Sequence, residues 1–300
     1  MIIGIDVGGT NLKIGVIDKN KIIEKIVLPT DKNDVVSQLI LNAHKLIDKY
    51  KLNDSSLEGI GVGCPGIIID GVVRKSANLN LFNCNLQSIL TNEFKCKVAV
   101  KNDADMATLG EQMLGGAKGA KNVIMLTIGT GVGGGIIINN TLYEGRGGAG
   151  ELGHVTMYKD GIDCNCGRKG CAEKYLSAIA LSNRAKAEMK LNNILFDQNA
   201  EVKASNLVNQ ADLGVSWAKK VINEYAEDLS EYVLNLCNIF RPDTILIGGG
   251  LSYAPSIIDK VASLCKIKHF GYPNSQEVCI SSAKLGNDAG ILGALIVTQN

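Results

Sequence analysis

Four side chains between residues 154 and 171 have the types and the spacing of a metal site. They are one histidine and three cysteines, namely His154, Cys164, Cys166 and Cys171. One imidazole and three thiolates make up the closed tetrahedral ligand set of a structural zinc site, and a closed set leaves no open position for catalysis by the metal. Three glycines would let so short a loop fold around an ion: Gly161, Gly167 and Gly170. The alternative is a group of free cysteines, because the C-x-C spacing is tighter than the usual C-x-x-C.

Two carboxylates flank these ligands. Glu151 precedes His154 by three residues, and Glu173 follows Cys171 by two. A rigid metal loop could hold both carboxylates toward a polyhydroxy ligand, whose hydroxyl groups would donate hydrogen bonds to them. Glu173 could equally be an acidic residue in the first turn of the following helix, where the helix dipole favours negative charge.

Two glycine-rich turns each follow a buried, strand-like segment. The first turn and its surroundings contain Asp6, Gly8, Gly9, Thr10 and Asn11, and the second contains Gly129, Thr130, Gly131 and Gly133. Successive backbone N–H groups in such a turn can form a concave anion-binding nest. Asp6 ends a buried strand, where a carboxylate is costly without a partner such as hydrated Mg²⁺. A plain hairpin with an aspartate in its turn is the alternative.

The second turn also matches the pattern G-x-G-x-x-G of dinucleotide-binding proteins. That pattern requires a helix after the loop. Residues 135–139 instead read Gly-Ile-Ile-Ile-Asn, which is typical of a strand. We therefore interpret the turn as a second phosphate-binding loop, paired with the first.

Asn102 and Asp103 stand between a predicted strand and a predicted helix. They could be a helix N-cap followed by an acid that interacts favourably with the dipole. They could also place a general base at the end of the strand, facing a ligand.

The elements predicted around these residues form two similar halves. Strands at 2–7 and 123–128 each lead into a glycine turn, at 129–135 in the second half, and then into a returning strand at 13–17 or 136–139. Further strands are predicted at 22–28, 57–62, 98–100 and 244–247, with a hairpin at 67–73. Helices are predicted at 34–50, 86–94, 102–113, 176–189 and 213–239, with a final helix opening at 286–290.

The overall composition narrows the classes of function. The chain has 300 residues, of which 46% are hydrophobic and 20% charged, enough for a large core and not typical of disorder. A net charge of +1 does not indicate a nucleic-acid partner, and no apolar run approaches the ~18 residues of a membrane span. No secretory signal opens the chain, so we expect a cytoplasmic protein. Of its nine cysteines, we expect most of the six outside the 164–171 group to be buried as small hydrophobic side chains.

Taken together, these segments resemble the ROK family of sugar kinases, repressors and related proteins, over nearly the whole chain. The resemblance rests on Asp6-Val-Gly-Gly-Thr10-Asn11-x-Lys13, Ser76-Ala-Asn78, Asn102-Asp103-Ala104, Gly129-Thr-Gly-Val-Gly-Gly134, Ala149-Gly-Glu-Leu-Gly-His154 and Cys164-x-Cys166-Gly-x-x-Gly-Cys171-x-Glu173. It implies an α/β protein with the actin-like ATPase or hexokinase-type fold, in which two ribonuclease-H-like lobes enclose a cleft. We expect residues 1–115 plus 284–300 to form the N-terminal lobe and residues 116–283 the C-terminal lobe, which contains the zinc loop.

The resemblance also implies a role for each matching residue. Asp103 would be the general base that takes the proton from a sugar hydroxyl. The hexose would be held by Asn78, Asn102, Asp103, Glu151, His154 and Glu173, with His154 also ligating zinc. The two glycine loops, with Asp6, Thr10 and Thr130, would bind ATP phosphates and Mg²⁺, and Gly248–Gly250, including Gly249 and Gly250, would flank the nucleoside. Lys13 could reach a phosphate or face solvent, and Asp105 stands where the family commonly has asparagine.

The implied activity is ATP-dependent phosphorylation of a hexose, first of all glucose at its 6-hydroxyl. N-acetylmannosamine, N-acetylglucosamine, allose and fructose are alternative substrates, and the family often forms homodimers. A sugar-responsive repressor of the same family would carry a helix-turn-helix module before the first phosphate loop, which here begins at residue 6. A non-catalytic sugar-binding or zinc protein would be expected to lack the base or the phosphate loops, and both are present.

Overall fold

The computed structural model describes residues 1–53 and 55–298. Residues 299–300, which the sequence analysis assigned to the first lobe, lie outside the described residues. The elements up to residue 119 are β1 (Ile2–Val7), β2 (Asn11–Asp18), β3 (Lys21–Pro29), α1 (Val35–Tyr50), β4 (Gly59–Cys64), β5 (Ile67–Ile69), β6 (Val72–Ser76), β7 (Leu81–Cys84), α2 (Leu86–Phe94), β8 (Val98–Asn102) and α3 (Asp103–Leu114). The remaining elements are β9 (Val123–Ile128), β10 (Val132–Ile138), β11 (Thr141–Leu142), α4 (Glu173–Leu176), α5 (Ala178–Leu191), α6 (Ala204–Asp212), α7 (Ser216–Phe240), β12 (Thr244–Gly248), α8 (Pro255–Lys268), β13 (Cys279–Ser282) and α9 (Ala289–Leu292).

The described chain divides into two compact units. Of the described residues, the first comprises 1–53, 55–119, 135–150 and 287–298, and the second comprises 120–134 and 151–286. Residues 135–150 thus group with the first unit, whereas the sequence analysis placed them in the C-terminal lobe. Strand β10 accordingly begins in the second unit and ends in the first.

The sheet of the first unit positions several candidate residues along one edge. Its strand order is β3-β2-β1-β4-β8, with β1 antiparallel to β2 and parallel to β4, and β4 parallel to β8. In this register Asp6 lies opposite Gly63, and Cys64 lies opposite Asn102. Because parallel strands end at the same edge, Asp6 and Asn102 are both carried at the carboxyl edge of the sheet.

A second sheet repeats this plan. Its order is β11-β10-β9-β12-β13, with β12 parallel to both β9 and β13, and β10 antiparallel to β11. The two sheets have the same strand order. In each, the strand that leads into the glycine turn is flanked on one side by the returning strand and the next strand in sequence, and on the other side by two strands from later in the chain. The internal repeat predicted from the two glycine turns is therefore confirmed.

The core of the first unit follows the sequence periodicity. Strand residues such as Ile3, Ile5 and Ile14 are fully buried, and helix α1 packs Leu39 and Leu46 into the same cluster. These helical positions lie on one face of α1, as a spacing of three or four residues predicts. Among the described residues, none of the helices combines the length and the apolar character that crossing a bilayer requires.

The predicted extent of the second glycine turn is wrong. Strand β10 begins at Val132, so Gly133, Gly134 and Gly135 are strand residues rather than turn residues. At Gly135 the glycine is required by packing, because a Cβ there would lie 2.1 Å from the Thr108 hydroxyl oxygen. A glycine inside a strand often marks such a close approach rather than a turn.

The helical region after the metal loop also differs from the prediction. The helix predicted at 213–239 starts at Ser216, and a separate helix, α6, precedes it. Gly214 separates the two with a φ of +89°, a conformation that glycine adopts without strain. Helix α8 and strand β13 were not predicted, and the last helix, α9, is a four-residue turn flanked by 3₁₀ turns.

The first testable prediction concerns Gly110 in helix α3. Helix propensity predicts that Gly110→Ala raises the free energy of unfolding, whereas packing predicts that it lowers it. Propensity alone favours alanine in a helix interior by about 1 kcal/mol. A Cβ at Gly110 would lie only 2.3 Å from the carbonyl oxygen of Ala289, so the two segments would have to separate. We expect a net loss of about 1–3 kcal/mol in the free energy of unfolding, the usual cost of overpacking, measured by urea denaturation.

Thr91→Ala in the exposed part of α2 is the control, since it changes propensity without adding a contact. A Gly110→Ala protein as stable as Thr91→Ala, or more so, would contradict the packing explanation.

Candidate functional site

The first glycine turn is a compact hairpin connection between β1 and β2. The Gly8 N–H donates to the Asn11 carbonyl oxygen at 2.9 Å, and the Thr30 hydroxyl donates to the Gly8 carbonyl oxygen at 2.7 Å. Thr10 is exposed. The turn opens onto a groove of about 430 Å³, lined by Gly8, Gly9, Thr10, Asn11, Lys13, Lys25, Val27 and Asn287. The groove therefore presents backbone donors, a hydroxyl and two lysines along one surface.

Asp6 and Lys13 face each other across the β1–β2 ladder. Their side chains form an ion pair, with Lys13 Nζ 2.7 Å from Asp6 Oδ2, and both are mostly buried. Gly290 packs against Asp6, since a Cβ there would lie 3.1 Å from the carboxylate carbon. From the sequence, Lys13 was expected either to reach a phosphate or to face solvent. In the structure it pairs with Asp6. A buried carboxylate paired in this way avoids the cost of an isolated charge.

Asn102 is the N-cap of α3, as one of the two interpretations predicted. Its Oδ1 accepts a hydrogen bond from the Ala104 N–H at 2.8 Å, and its Nδ2 donates to the Gly66 carbonyl oxygen at 3.0 Å. Asp103 is the first residue of the helix, and its Oδ1 accepts from the Ala104 N–H at 3.0 Å. Acidic side chains are common in the first turn of a helix because the helix dipole favours negative charge there.

A buried thiol lies close to this carboxylate. Cys64 ends β4, and burial together with the negative charge of Asp103 raises its pKa to about 12. The thiol therefore stays neutral and adds no charge to the Asp103 environment. Asn78 lies in the same unit, in a short 3₁₀ turn, and is exposed. It is close to the first glycine turn, since a Cβ at Gly9 would lie 3.6 Å from the Asn78 Cβ.

The three cysteines and the histidine predicted as metal ligands converge in the second unit. Their ligand atoms all lie within 4.8 Å of one another. Cys164 Sγ is 3.6 Å from His154 Nδ1, and Cys166 Sγ is 3.6 Å from Cys171 Sγ. A hydrogen bond from the Arg168 backbone lowers the pKa of the exposed Cys166 thiol, which favours the thiolate form that binds metal.

The loop around this cluster is shaped by its own backbone hydrogen bonds. The Cys164 N–H donates to the Arg168 carbonyl oxygen at 2.8 Å, and the Gly170 N–H donates to the Ile162 carbonyl oxygen at 2.8 Å. Gly170 has a φ of +72°, and a Cβ there would lie 1.6 Å from the Tyr158 carbonyl oxygen. The glycine expected to ease this loop is therefore required by both conformation and space.

Glu151 stands beside the cluster on the side away from the thiols. Its Oε2 lies 4.0 Å from His154 Nε2, while His154 Nδ1 faces Cys164. Burial raises the pKa of Glu151, the neighbouring Glu173 carboxylate adds to the rise, and His154 opposes it. One ring nitrogen of His154 thus points to the thiols and the other to a carboxylate, so the imidazole can serve both groups.

Glu173 begins α4 and contacts the second glycine turn. Its Oε2 accepts a hydrogen bond from the Val132 N–H at 3.1 Å. Within the turn, the Gly129 N–H donates to the Gly131 carbonyl oxygen at 2.9 Å, and Thr130 is exposed. The structure therefore places Glu173 against the predicted phosphate loop as well as close to Glu151.

The third glycine segment lies beside this turn. Strand β12 pairs with β9 so that Gly248 is opposite Thr127, and Gly249 follows with a φ of +72°. A Cβ at Gly249 would lie 2.6 Å from the Ile128 carbonyl oxygen. Gly249 and Gly250 thus approach the residue that precedes the second glycine turn, and both are exposed.

Two buried tyrosines that sequence reasoning missed hold the metal loop at both ends. Tyr232 donates its hydroxyl to the Leu152 carbonyl oxygen at 2.5 Å, two residues before His154. Tyr225 donates to the Leu176 carbonyl oxygen at 2.6 Å, at the end of α4. Burial raises the pKa of both phenols, so they remain hydrogen-bond donors. Their spacing of seven residues on α7, two helical turns on one face, was the available sequence signal.

Comparison with known proteins identifies the class. The model of the ROK family matches residues 2–300, and the chain therefore belongs to the ROK family. The glucokinase of Halalkalibacterium halodurans is 35% identical over 97% of this chain and 92% of its own length. The xylose repressor of Caldicellulosiruptor bescii is 32% identical over 88% of this chain and 68% of its own length.

A solved structure agrees with the sequence relatives. The ROK family glucokinase from Streptomyces griseus, in complex with glucose and AMPPNP, superposes with a TM-score of 0.82 and 28% identity, covering 100% of this chain and 99% of that one. The expected fold, the actin-like or hexokinase-type α/β fold, is thereby confirmed.

The tyrosine contacts give a second prediction. Tyr232→Phe removes the donor to the buried Leu152 carbonyl oxygen and leaves the ring in place. An unsatisfied buried acceptor costs about 1–3 kcal/mol, so we expect the free energy of unfolding to fall by that amount in urea denaturation.

Tyr253→Phe, at an exposed tyrosine, is the matched control and should leave the stability within about 0.5 kcal/mol. Equal stability of the two variants would show that the Leu152 carbonyl does not depend on Tyr232.

Proposed function

We propose that this protein is an ATP-dependent hexose kinase that converts glucose to glucose 6-phosphate. The observation that carries the proposal is the 35% identity to a glucokinase over nearly the whole of both chains. The arrangement of the candidate residues supports it, because within each unit a glycine turn lies beside a proposed sugar ligand, Gly9 beside Asn78 in the first and Gly131 beside Glu173 in the second. The same family includes sugar-responsive repressors, as the similarity to a xylose repressor illustrates.

Asp103 is the proposed general base. As the first residue of α3 it lies at the positive end of the helix dipole, which favours negative charge, and a carboxylate oxygen is the proton acceptor that the step requires. In phosphoryl transfer such a carboxylate orients the attacking hydroxyl and takes its proton as the bond to phosphorus forms. The N-cap hydrogen bonds of Asn102 fix the start of the helix and thus the position of the base.

ATP phosphates are proposed to bind at the two glycine turns. Backbone N–H groups and the exposed hydroxyls of Thr10 and Thr130 are the donors that such an anion requires. Asp6 fits a hydrated Mg²⁺, whose role would be to neutralise charge on the β- and γ-phosphates. Lys13 holds the Asp6 carboxylate in place, and Gly249 and Gly250 are proposed to flank the nucleoside.

The Cys₃His cluster fits a structural zinc ion. Four ligands at tetrahedral positions, with Zn–S near 2.3 Å, lie about 3.8 Å from one another. Two of the six pairs of ligand atoms are 3.6 Å apart and all six lie within 4.8 Å, so a modest contraction would seat the ion, and the donor set is the one zinc prefers. The ion would cross-link the loop that carries Glu151, His154 and Glu173, the proposed ligands of the sugar hydroxyls together with Asn78 and Asn102.

We further propose a homodimer in the cytoplasm. No disulfide joins the cysteines of the described residues, and a reducing compartment keeps thiols in the form that binds zinc. The oligomeric proposal rests on the family resemblance alone.

The function is tested with a coupled assay of ADP release over glucose, N-acetylmannosamine, N-acetylglucosamine, allose and fructose. We expect glucose to give the highest kcat/KM. Asp103→Asn should lower kcat by about 10²–10⁴-fold while glucose binding, measured by calorimetry, stays largely intact, because only the proton acceptor is lost.

Turnover of Asp103→Asn close to that of the wild type would overturn the base assignment. A higher kcat/KM for another sugar would replace glucose as the substrate. Glucose binding without ADP release by the wild type would favour the regulatory function instead.

The metal proposal has its own prediction. Cys166→Ala removes one of four ligands, so we expect the protein to lose bound zinc, measured by elemental analysis, and to bind glucose at least about tenfold more weakly. Cys279→Ala is the matched control, since this exposed cysteine lies outside the cluster. A full zinc equivalent in purified Cys166→Ala protein would refute the ligand set.

A further inference from the structure

The backbone of Val132 lies between the two segments that carry the proposed sugar ligands. Its N–H donates to Glu173 Oε2 at 3.1 Å. Its carbonyl oxygen lies against Gly153, where a Cβ would come within 2.0 Å of it. Gly153 directly precedes His154, and Glu173 follows Cys171 by two residues. Both segments therefore meet at the residue that ends the second glycine turn.

The Glu173 carboxylate occupies the space beside the second glycine turn that a side chain at Gly131 would need. A Cβ at Gly131 would lie 2.5 Å from Glu173 Oε2. Apart from the residues next to Gly131 in sequence, no other heavy atom of the described residues would lie closer than 3.4 Å to that Cβ. The φ of Gly131 lies outside the left-handed region, so its backbone does not require glycine. The absence of a side chain at this position is therefore explained by the carboxylate.

The other end of the turn is tied to the same segment. The Ala178 N–H donates to the Gly129 carbonyl oxygen at 2.8 Å, and Ala178 follows α4 by two residues. Helix α4 is itself held by the Tyr225 hydroxyl through the Leu176 carbonyl oxygen. A shift of the segment 173–178 must consequently move both ends of the second glycine turn.

We propose that Glu173 is a positioning residue that couples hexose binding to nucleotide binding. One carboxylate oxygen is engaged by the Val132 N–H, which leaves the other oxygen to accept from a sugar hydroxyl. A bound sugar restricts the rotamer of Glu173, and the restrained carboxylate holds the turn in the geometry that meets the ATP phosphates. This inference rests on the proposed function, since it concerns the same sugar and nucleotide sites.

Linkage makes the proposal measurable. If glucose tightens nucleotide binding by a factor, the nucleotide must tighten glucose binding by the same factor. The factor is obtained by titrating the full-length protein with AMPPNP and Mg²⁺ in a calorimeter, with and without saturating glucose. For the wild type we expect a factor of about five or more, the lower end of typical coupling.

Three variants separate the loop contact from the sugar contact. Glu173→Ala removes both, and Gly131→Ala places a methyl group where the carboxylate lies while leaving Glu173 in the chain. We expect a coupling factor below about twofold in both variants. Glu173→Gln keeps an acceptor for the Val132 N–H, so it should retain more of the coupling than Glu173→Ala, although a neutral acceptor forms the weaker hydrogen bond.

Glu201→Ala, at an exposed carboxylate of the same unit, is the control and should show the wild-type factor. Zinc content and thermal unfolding are recorded for every variant, so that a misfolded protein is recognised. If Gly131→Ala does not fold, the comparison of Glu173→Gln with Glu173→Ala carries the test.

A wild-type factor near one would overturn the proposal, as would full coupling in folded Gly131→Ala protein or equal factors in the Gln and Ala variants. These outcomes differ from failure of the proposed function, in which the wild-type protein releases no ADP with glucose or with any other tested sugar.

Discussion

Convergence of the four ligands at the Cys₃His cluster is the constraint on which the second unit depends. The segment between Glu151 and Glu173 has no long strand or helix of its own, and its short bridges and glycine turns would not hold it in one conformation alone. A metal ion bound there, as proposed, would close the loop and remove much of the conformational entropy that such a segment would otherwise keep. It would also fix the position of His154, whereas Glu173 is placed by the start of α4.

A second group of contacts fixes this loop to the rest of the unit. The hydroxyls of Tyr225 and Tyr232 reach main-chain carbonyls at both ends of the segment from one face of α7. Tyr158 donates to Asp228 on the same helix at 2.8 Å, and Arg184 of α5 also pairs with Asp228. The two buried tyrosine hydrogen bonds contribute little net energy each but are costly to break, so they define one position for the ends of the loop.

In the first unit, the polar side chains of the candidate site are positioned by a sheet. Parallel pairing of β1, β4 and β8 carries Asp6 and Asn102 to one edge, and a single N-cap sets the start of α3 and the place of Asp103. Glycines then permit close contact where bulk would separate the layers, as at Gly290 beside Asp6. The two units thus share a strand order but use different devices to orient their polar side chains.

Much of the fold could be predicted from the sequence because its signals are local. Strand β1, helix α2 and strand β9 have the predicted bounds, since apolar runs and helical periodicity reflect burial directly. The predicted extent of the second glycine turn was wrong because glycine occurs both in turns and where segments pack closely. Only the structure distinguishes the two cases, by placing Thr108 against Gly135. Helices α6 and α8 escaped prediction because they lie beyond the motifs.

The sequence by itself determined the types of group in the candidate site, since the four potential metal ligands, the N-cap Asn102 with the following Asp103, and the two glycine turns are recognisable from residue type and spacing. Only the tertiary structure decided which groups each side chain meets. Lys13 pairs with Asp6, and Glu173 reaches the backbone of Val132, 41 positions away along the chain. Residue types are local properties of the chain, whereas such partners depend on long-range packing, which no short motif encodes.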